Sequence, residues 1–156
     1  MIEAWRIIRE KYIDHKRAFS GEGAAKSGER WNHISIPVVY ASGHLSLAAL
    51  ERFVNMGHEG KYLRFVYFRL EIPDNIIEVV EPGRLPSNWR SVPATDSTKD
   101  FGTRWVKENR SAILRVPSAI IPVEYNFVLN PQHPDFKSSI KIDDPKPFSY
   151  DHRMWK

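Results

Sequence analysis

Cysteine is absent from this 156-residue chain, which excludes disulfides and thiolate metal sites alike. No hydrophobic run approaches the ~18 apolar residues of a membrane-spanning helix. The opening MIEAWRIIREKY lacks the apolar core and small-residue cleavage site of a secretory leader. Together these absences favour a soluble, cytoplasmic protein with no membrane attachment. Neither the G-x-G-x-x-G spacing nor a P-loop occurs, so any bound nucleotide must be held by another device. A G-x-S-x-G nucleophile elbow is also missing. His15, His33, His44, His58, His133 and His152 are scattered with no pair at ligand spacing, and no metal site is expected. There is no internal repeat, low-complexity tract or linker, so residues 1–156 are expected to form one domain.

What the chain does contain suits a folded domain: 42% hydrophobic, 27% charged and 12% aromatic residues, enough for one core. Twenty-three basic against nineteen acidic side chains give a formal charge of +4. That balance favours anions without choosing among nucleic acid, nucleotide and acidic protein.

EAWRIIREKY alternates apolar and polar residues, predicting an opening strand with Trp5 and Ile7 on one face and Arg6 on the other. Residues 19–32, FSGEGAAKSGERWN, hold three glycines and two serines and read as a tightly bending loop. IPVVYAS is a short strand. Ser42 is placed to cap a helix over GHLSLAALERFVNMG that ends at Gly57. On that helix Leu47, Leu50 and Val54 form an apolar stripe whose missing i+4 member is Glu51. KYLRFVYFRLEI is the longest strand, expected to be central and closed by Pro73, and NIIEVVE is another. Ser97 and Asp100 suggest a capping box for a helix carrying Phe101 and Trp105. SAILRVPSAIIPVEYNFVLNP reads as strand, bend, strand, NPQHPDF as a turn, and the C-terminal stretch as a last strand and a polar tail. Strands outnumber helices without alternating regularly with them, which predicts a compact, sheet-rich α+β fold.

Four polar residues stand where packing alone does not need them: Arg30 beside the glycine loop, Tyr40 ending an inner strand, Glu51 in the apolar stripe, and Ser118 after Pro117. Each has a plain structural alternative: a cation on a tryptophan ring, a satisfied core tyrosine, a turn serine. Glu51 is the hardest to explain that way. An unpaired carboxylate on an apolar face costs several kcal/mol, so it must find a partner or border a cleft that a ligand fills. Lys61, Arg64 and Arg69 interleave with Tyr62, Tyr67 and Phe68, a pattern that could also serve single-stranded RNA, although ribonucleoprotein signatures are absent.

The ordered blocks GEGAAKSGERWN, PVVYAS, ALE, LRVPSAIIPVEYNFVLNPQHPDF and PFSYDHRMW closely resemble the RES domain, named for its arginine, glutamate and serine. The resemblance runs from Trp5 nearly to the C-terminus. It implies a fold similar to that of ADP-ribosyltransferases and a toxin of a bacterial toxin-antitoxin pair. It also implies NAD as substrate, with no separate cofactor. The family's arginine, tyrosine, glutamate and serine match Arg30, Tyr40, Glu51 and Ser118. One departure is that Glu29 follows Gly28 where the family commonly has a second glycine.

Cleaving the bond between nicotinamide and ribose develops positive charge on the sugar, which carboxylates stabilise. The resemblance therefore gives Glu51 a ribose hydroxyl and the developing cation. Arg30 takes the pyrophosphate or orients the ribose, Tyr40 stacks on nicotinamide, Ser118 hydrogen-bonds the substrate, and Arg6 is a further phosphate contact. Water, phosphate and a protein all stay open as acceptor. The implied partner is an Xre-type helix-turn-helix antitoxin that blocks the cleft, and homodimerisation is left open. The alternatives are an RNA-binding or ribonuclease toxin and an inactive fold that only binds its partner. Direct nucleic-acid binding is not expected.

Overall fold

The alternation in IEAWRIIR makes the first strand, β1 (Ile2–Arg9). Ala4 and Ile8 turn to one side, into a core with Phe19 and Phe68, while Ile7 turns to the other, against Ala48 and Phe65. The computed structural model describes residues 1–156, the side chain of His15 excepted. After β1 come α1 (His15–Ala18), α2 (Glu22–Ser27), β2 (Val39–Ser42), α3 (Leu45–Phe53), β3 (Phe65–Ile72) and β4 (Ile77–Val79). Then follow α4 (Asp96–Lys107), β5 (Ile113–Pro117), β6 (Tyr125–Leu129), α5 (Pro134–Ser139), β7 (Lys141–Ile142) and β8 (Lys146–Phe148). No helix among the described residues is long and apolar enough to cross a membrane.

The described residues build one eight-stranded sheet in the order β4-β5-β6-β2-β1-β3-β7, with β8 also on β3. β4 and β5 run parallel and the other pairings are antiparallel. The α+β expectation holds. β1 and β3 pair along their whole length, from Ile2↔Ile72 to Arg9↔Phe65. β2 and β6 pair over four residues, from Val39↔Leu129 to Ser42↔Asn126. The seam between these halves is far thinner, since β1 and β2 meet at Trp5↔Ser42 alone among the described residues.

Beyond that pair the strands part, and the Arg6 side chain fills the gap. Its Nη1 donates to the Tyr40 carbonyl and its Nε to the Ala18 carbonyl, each at 2.9 Å. A side chain thus supplies a donor that a strand neighbour would otherwise provide. Trp31 and Trp105 centre a second core with Val38, Leu114, Val116 and Val128, and α4 covers that part of the sheet.

Several local expectations are corrected. The segment 19–32 contains α2 rather than loop alone. Ser42 ends β2, and His44 occupies the N-cap of α3 without a side-chain cap. α3 stops at Phe53, whose ring lies 6.0 Å from Tyr150 and 5.2 Å from Trp155. Those C-terminal aromatics pack on the Phe53 side of the helix end; the buried residues of α3 are Leu47 and Ala48, and Val54, past its end, is 59% exposed. Ser97 and Asp100 form no capping box: Ser97 donates to Asn88 and Asp100 contacts His33, while Thr95 precedes α4. β3 is interior but lies one strand from the edge, and β2 takes the middle. NPQHPDF runs into α5, and the C-terminal stretch supplies two short strands.

Gly102 shows how α4 fixes the loop ahead of β2. A Cβ there would drive into the Trp31 carbonyl oxygen, a backbone atom that cannot yield. Beside it, Thr103 Oγ1 accepts from the His33 amide at 3.0 Å. Gly102→Ala is expected to lower stability by ~1–3 kcal/mol through overpacking, measured as a fall in the urea midpoint. Gly23→Ala, with open space around its Cβ, is expected to leave the midpoint unchanged or raise it.

Candidate active site

Glu51 lies in the last turns of α3 and turns back over the ends of β5 and β6. Its Oε1 accepts from Ser118 Oγ at 2.7 Å and from Asn126 Nδ2 at 2.8 Å. Oε2 accepts no hydrogen bond from the described residues. Ser118 is fully buried, and its hydroxyl also accepts the Ile120 and Ile121 amides at 3.1 Å, so the turn after β5 fixes it in place. Asn126 is held from behind, its Oδ1 accepting from Ser42 Oγ at 2.6 Å. Glu51 is therefore half-buried and anchored by two neutral donors. The requirement that a carboxylate here find a partner is met, and the apolar stripe that suggested it is not the reason.

Tyr40 organises the loop that carries Arg30. Its hydroxyl donates to Asn32 Oδ1 at 2.6 Å and accepts from the Trp31 amide at 3.1 Å. Asn32, fully buried, donates in turn to the carbonyls of Ala24, His33 and Ile36 and accepts the Glu29 amide. One phenol and one amide thereby define the loop that carries Arg30. Burial pushes the Tyr40 phenol well above its ordinary value; the Trp31 amide opposes this and the Glu29 charge adds to it. Trp31 turns into the core against Trp89 and Phe101, with ring centroids at 6.4 and 6.1 Å.

Arg30 reaches outward, and its Nη1 donates to the carbonyls of Trp89 and Ser91, both at 2.8 Å. Its remaining nitrogens make no hydrogen bond to the described residues. Burial lowers its guanidinium from the ordinary value, and the nearby Glu51 charge opposes that shift. Glu51 and Arg30 thus share one electrostatic neighbourhood without forming an ion pair. Arg6 lies deeper at the seam. Burial and then the Arg52 charge push it down to about 10, still a cation at neutral pH. Arg69, Arg110 and Arg153 are all paired with carboxylates. Arg6, Arg30 and Arg52 have no such partner among the described residues, and Arg52 Nε is buried without an acceptor.

The structure brings Glu51 and Ser118 into contact, leaves Arg30 within reach of the Glu51 charge but hydrogen-bonded to the 89–91 segment, and places Tyr40 on the strand that joins Ser42 to the loop. Arg6 touches the Tyr40 backbone from beneath. Sequence reasoning missed Asn126, Ser42 and Asn32. Asn126 alone had a visible signal, as an amide among the apolar positions of YNFVL. Chemically the site offers one fixed carboxylate with a free oxygen, a buried hydroxyl, and guanidinium donors in no ion pair among the described residues.

Tyr40→Phe is expected to cost about 1–3 kcal/mol, because Trp31 N–H and Asn32 Oδ1 lose their partner; urea unfolding measures it. Because the folded phenol titrates above the unfolded one, its contribution is complete below pH ~10 and fades as pH rises further. Wild type should therefore lose up to about 1.4 kcal/mol per pH unit more than Tyr40→Phe in that alkaline range.

The RES domain family model matches residues 3–151. The chain is 38% identical over 153 residues to a Prs ADP-ribosylating toxin of Sphingobium sp. (strain YBL2), covering 96% of this chain and 94% of that protein. It is 36% identical over 150 residues to Toxin Res of Yersinia enterocolitica, covering 96% and 97%. Toxin Res of Photorhabdus laumondii is 36% identical over 152 residues, covering 97% and 96%. Matched along nearly its whole length, by the family model and by these relatives alike, the chain belongs to the RES domain family.

Proposed function

We propose that this protein is a toxin that consumes NAD by cleaving the bond between nicotinamide and ribose. The observation that carries this reading is Glu51, fixed through Oε1 by Ser118 and Asn126 with Oε2 left to face a ligand. The relative from Sphingobium, named as an ADP-ribosylating toxin, supports the same chemistry.

In the reaction the bond from ribose C1′ to the nicotinamide nitrogen breaks, and its electron pair leaves with the base. The sugar gains positive charge, and an acceptor oxygen or nitrogen then adds to C1′ and loses a proton. Glu51 accepts a hydrogen bond from a ribose hydroxyl and stabilises the cation across a short distance. Ser118 and Asn126 hold that carboxylate so that little reorganisation is needed as charge develops. Arg30 and Arg6 supply positive charge for the pyrophosphate, Arg30 through the nitrogens not spent on the 89–91 segment. Tyr40 acts from its ring, because its hydroxyl is committed to Asn32 and Trp31.

The cell is protected, on this reading, by an Xre-type helix-turn-helix antitoxin that covers the cleft. The nucleic-acid alternative has little to stand on in the fold. Phe65 and Phe68 are buried at 2% and 0% exposure, and Arg69 is tied to Glu3, Glu71 and Asp143. Tyr62, 75% exposed, lies outside the strand and leaves no row of rings for bases to stack on.

The test is nicotinamide release from NAD by purified protein. Glu51→Gln keeps a hydrogen-bonding shape but removes the charge and should slow release by about 10²-fold or more. Arg30→Lys should reduce kcat/KM by about tenfold or more through loss of the planar fork. Equal rates in wild type and Glu51→Gln would refute the catalytic assignment. Mass spectrometry of the products, with and without phosphate, separates free ADP-ribose, its phosphorylated form and a modified protein.

A further inference from the structure

Arg90 links the segment held by Arg30 to the turn that holds Glu51. Arg30 donates to the carbonyls of Trp89 and Ser91, the residues on either side of it, so the guanidinium of one arginine fixes the backbone that presents the other. From there Arg90 Nε donates to the Ala119 carbonyl at 2.7 Å. Ala119 directly follows Ser118, the residue that holds Glu51. The exposed side chain thus bridges the segment after β4 to the turn after β5.

That single bond occupies Nε and leaves both Nη groups without a partner among the described residues. Arg90 forms no ion pair either, unlike Arg69, Arg110 and Arg153. A guanidinium anchored by Nε is oriented in advance, and its free edge is the one that binds a phosphate through two parallel hydrogen bonds. Together with Arg30, whose guanidinium feels the Glu51 charge without pairing with it, this gives two anchored cations that form no ion pair among the described residues.

We propose that Arg90 is an anion-binding residue of this site and takes a phosphate group through its free Nη edge. The phosphate can come from the diphosphate of the dinucleotide or from free phosphate entering as acceptor. Both of these roles rest on the NAD reading, whereas phosphate binding at Arg90 stands without cleavage.

Titration calorimetry at low salt, with ADP-ribose, inorganic pyrophosphate and orthophosphate as separate probes, tests it on wild type, Arg90→Ala and Arg90→Lys. Arg84→Ala, an exposed change in another turn, serves as control. The expected result is affinity about tenfold or more weaker in Arg90→Ala, partly recovered in Arg90→Lys, and unchanged in the control. Weakening for ADP-ribose and pyrophosphate assigns the dinucleotide; weakening for orthophosphate alone assigns the acceptor. Wild-type affinity in Arg90→Ala for all three probes, or no binding of any probe to wild type, overturns the proposal. If wild type binds through Arg90 yet releases no nicotinamide, the NAD reading falls and the anion site remains. If wild type cleaves NAD and Arg90→Ala binds and cleaves it equally, the anion site falls alone.

Discussion

A single carboxylate oxygen, Glu51 Oε1, joins three separate parts of the chain. It accepts from the turn after β5 through Ser118 and from β6 through Asn126, while its own backbone belongs to α3. Neither donor is charged, so the carboxylate keeps its full charge for whatever approaches Oε2. An arginine in place of these neutral groups would have bound it tightly and cancelled the field that a developing cation needs. Ser42 behind Asn126, and the amides of Ile120 and Ile121 behind Ser118, make the anchor rigid.

Around that anchor the sheet is nearly divided. β1 and β2 touch at Trp5↔Ser42, and Ser42 is the residue that secures Asn126. The thinnest point of the sheet therefore adjoins the network on which Glu51 depends, with Arg6 closing the gap on the other side of the pair. At the other end of β2, Tyr40 and Asn32 shape the loop that carries Arg30, and α4 presses on that loop through Gly102 and Thr103. Arg6 and Arg30, in no ion pair among the described residues, are consequently held in place by packing and neutral hydrogen bonds, an arrangement that favours an anionic ligand.

Period-two alternation makes the first strand legible in the sequence, and a run of β-branched and aromatic residues does the same for β3. IEAWRIIR and the strand-bend-strand stretch around Pro117 are found where they were expected. Helix details were less visible. Val54 was expected in the core because apolar spacing ignores where a helix stops, and here Tyr150 and Trp155, a hundred residues on, pack on the Phe53 side of that end. Ser42 resembled a cap because its partner, Asn126, lies 84 positions away in the chain. The site divides along the same line. Glu51 was conspicuous as a charge among apolar residues, whereas Asn32 and Asn126 act through contacts that only the fold creates. Arg30, Tyr40 and Ser118 stand out as a set only through the family resemblance, because their local spacing is equally compatible with structural roles.

Glu51 can stabilise the sugar cation only if the nicotinamide ribose lies against it. A crystal structure of Glu51→Gln soaked with NAD tests this most directly, since the slow variant should retain the intact dinucleotide. The expected result is the nicotinamide ribose against residue 51, with a ribose hydroxyl within hydrogen-bond distance of the side-chain amide. A dinucleotide bound elsewhere, with no sugar near residue 51, would contradict the central claim.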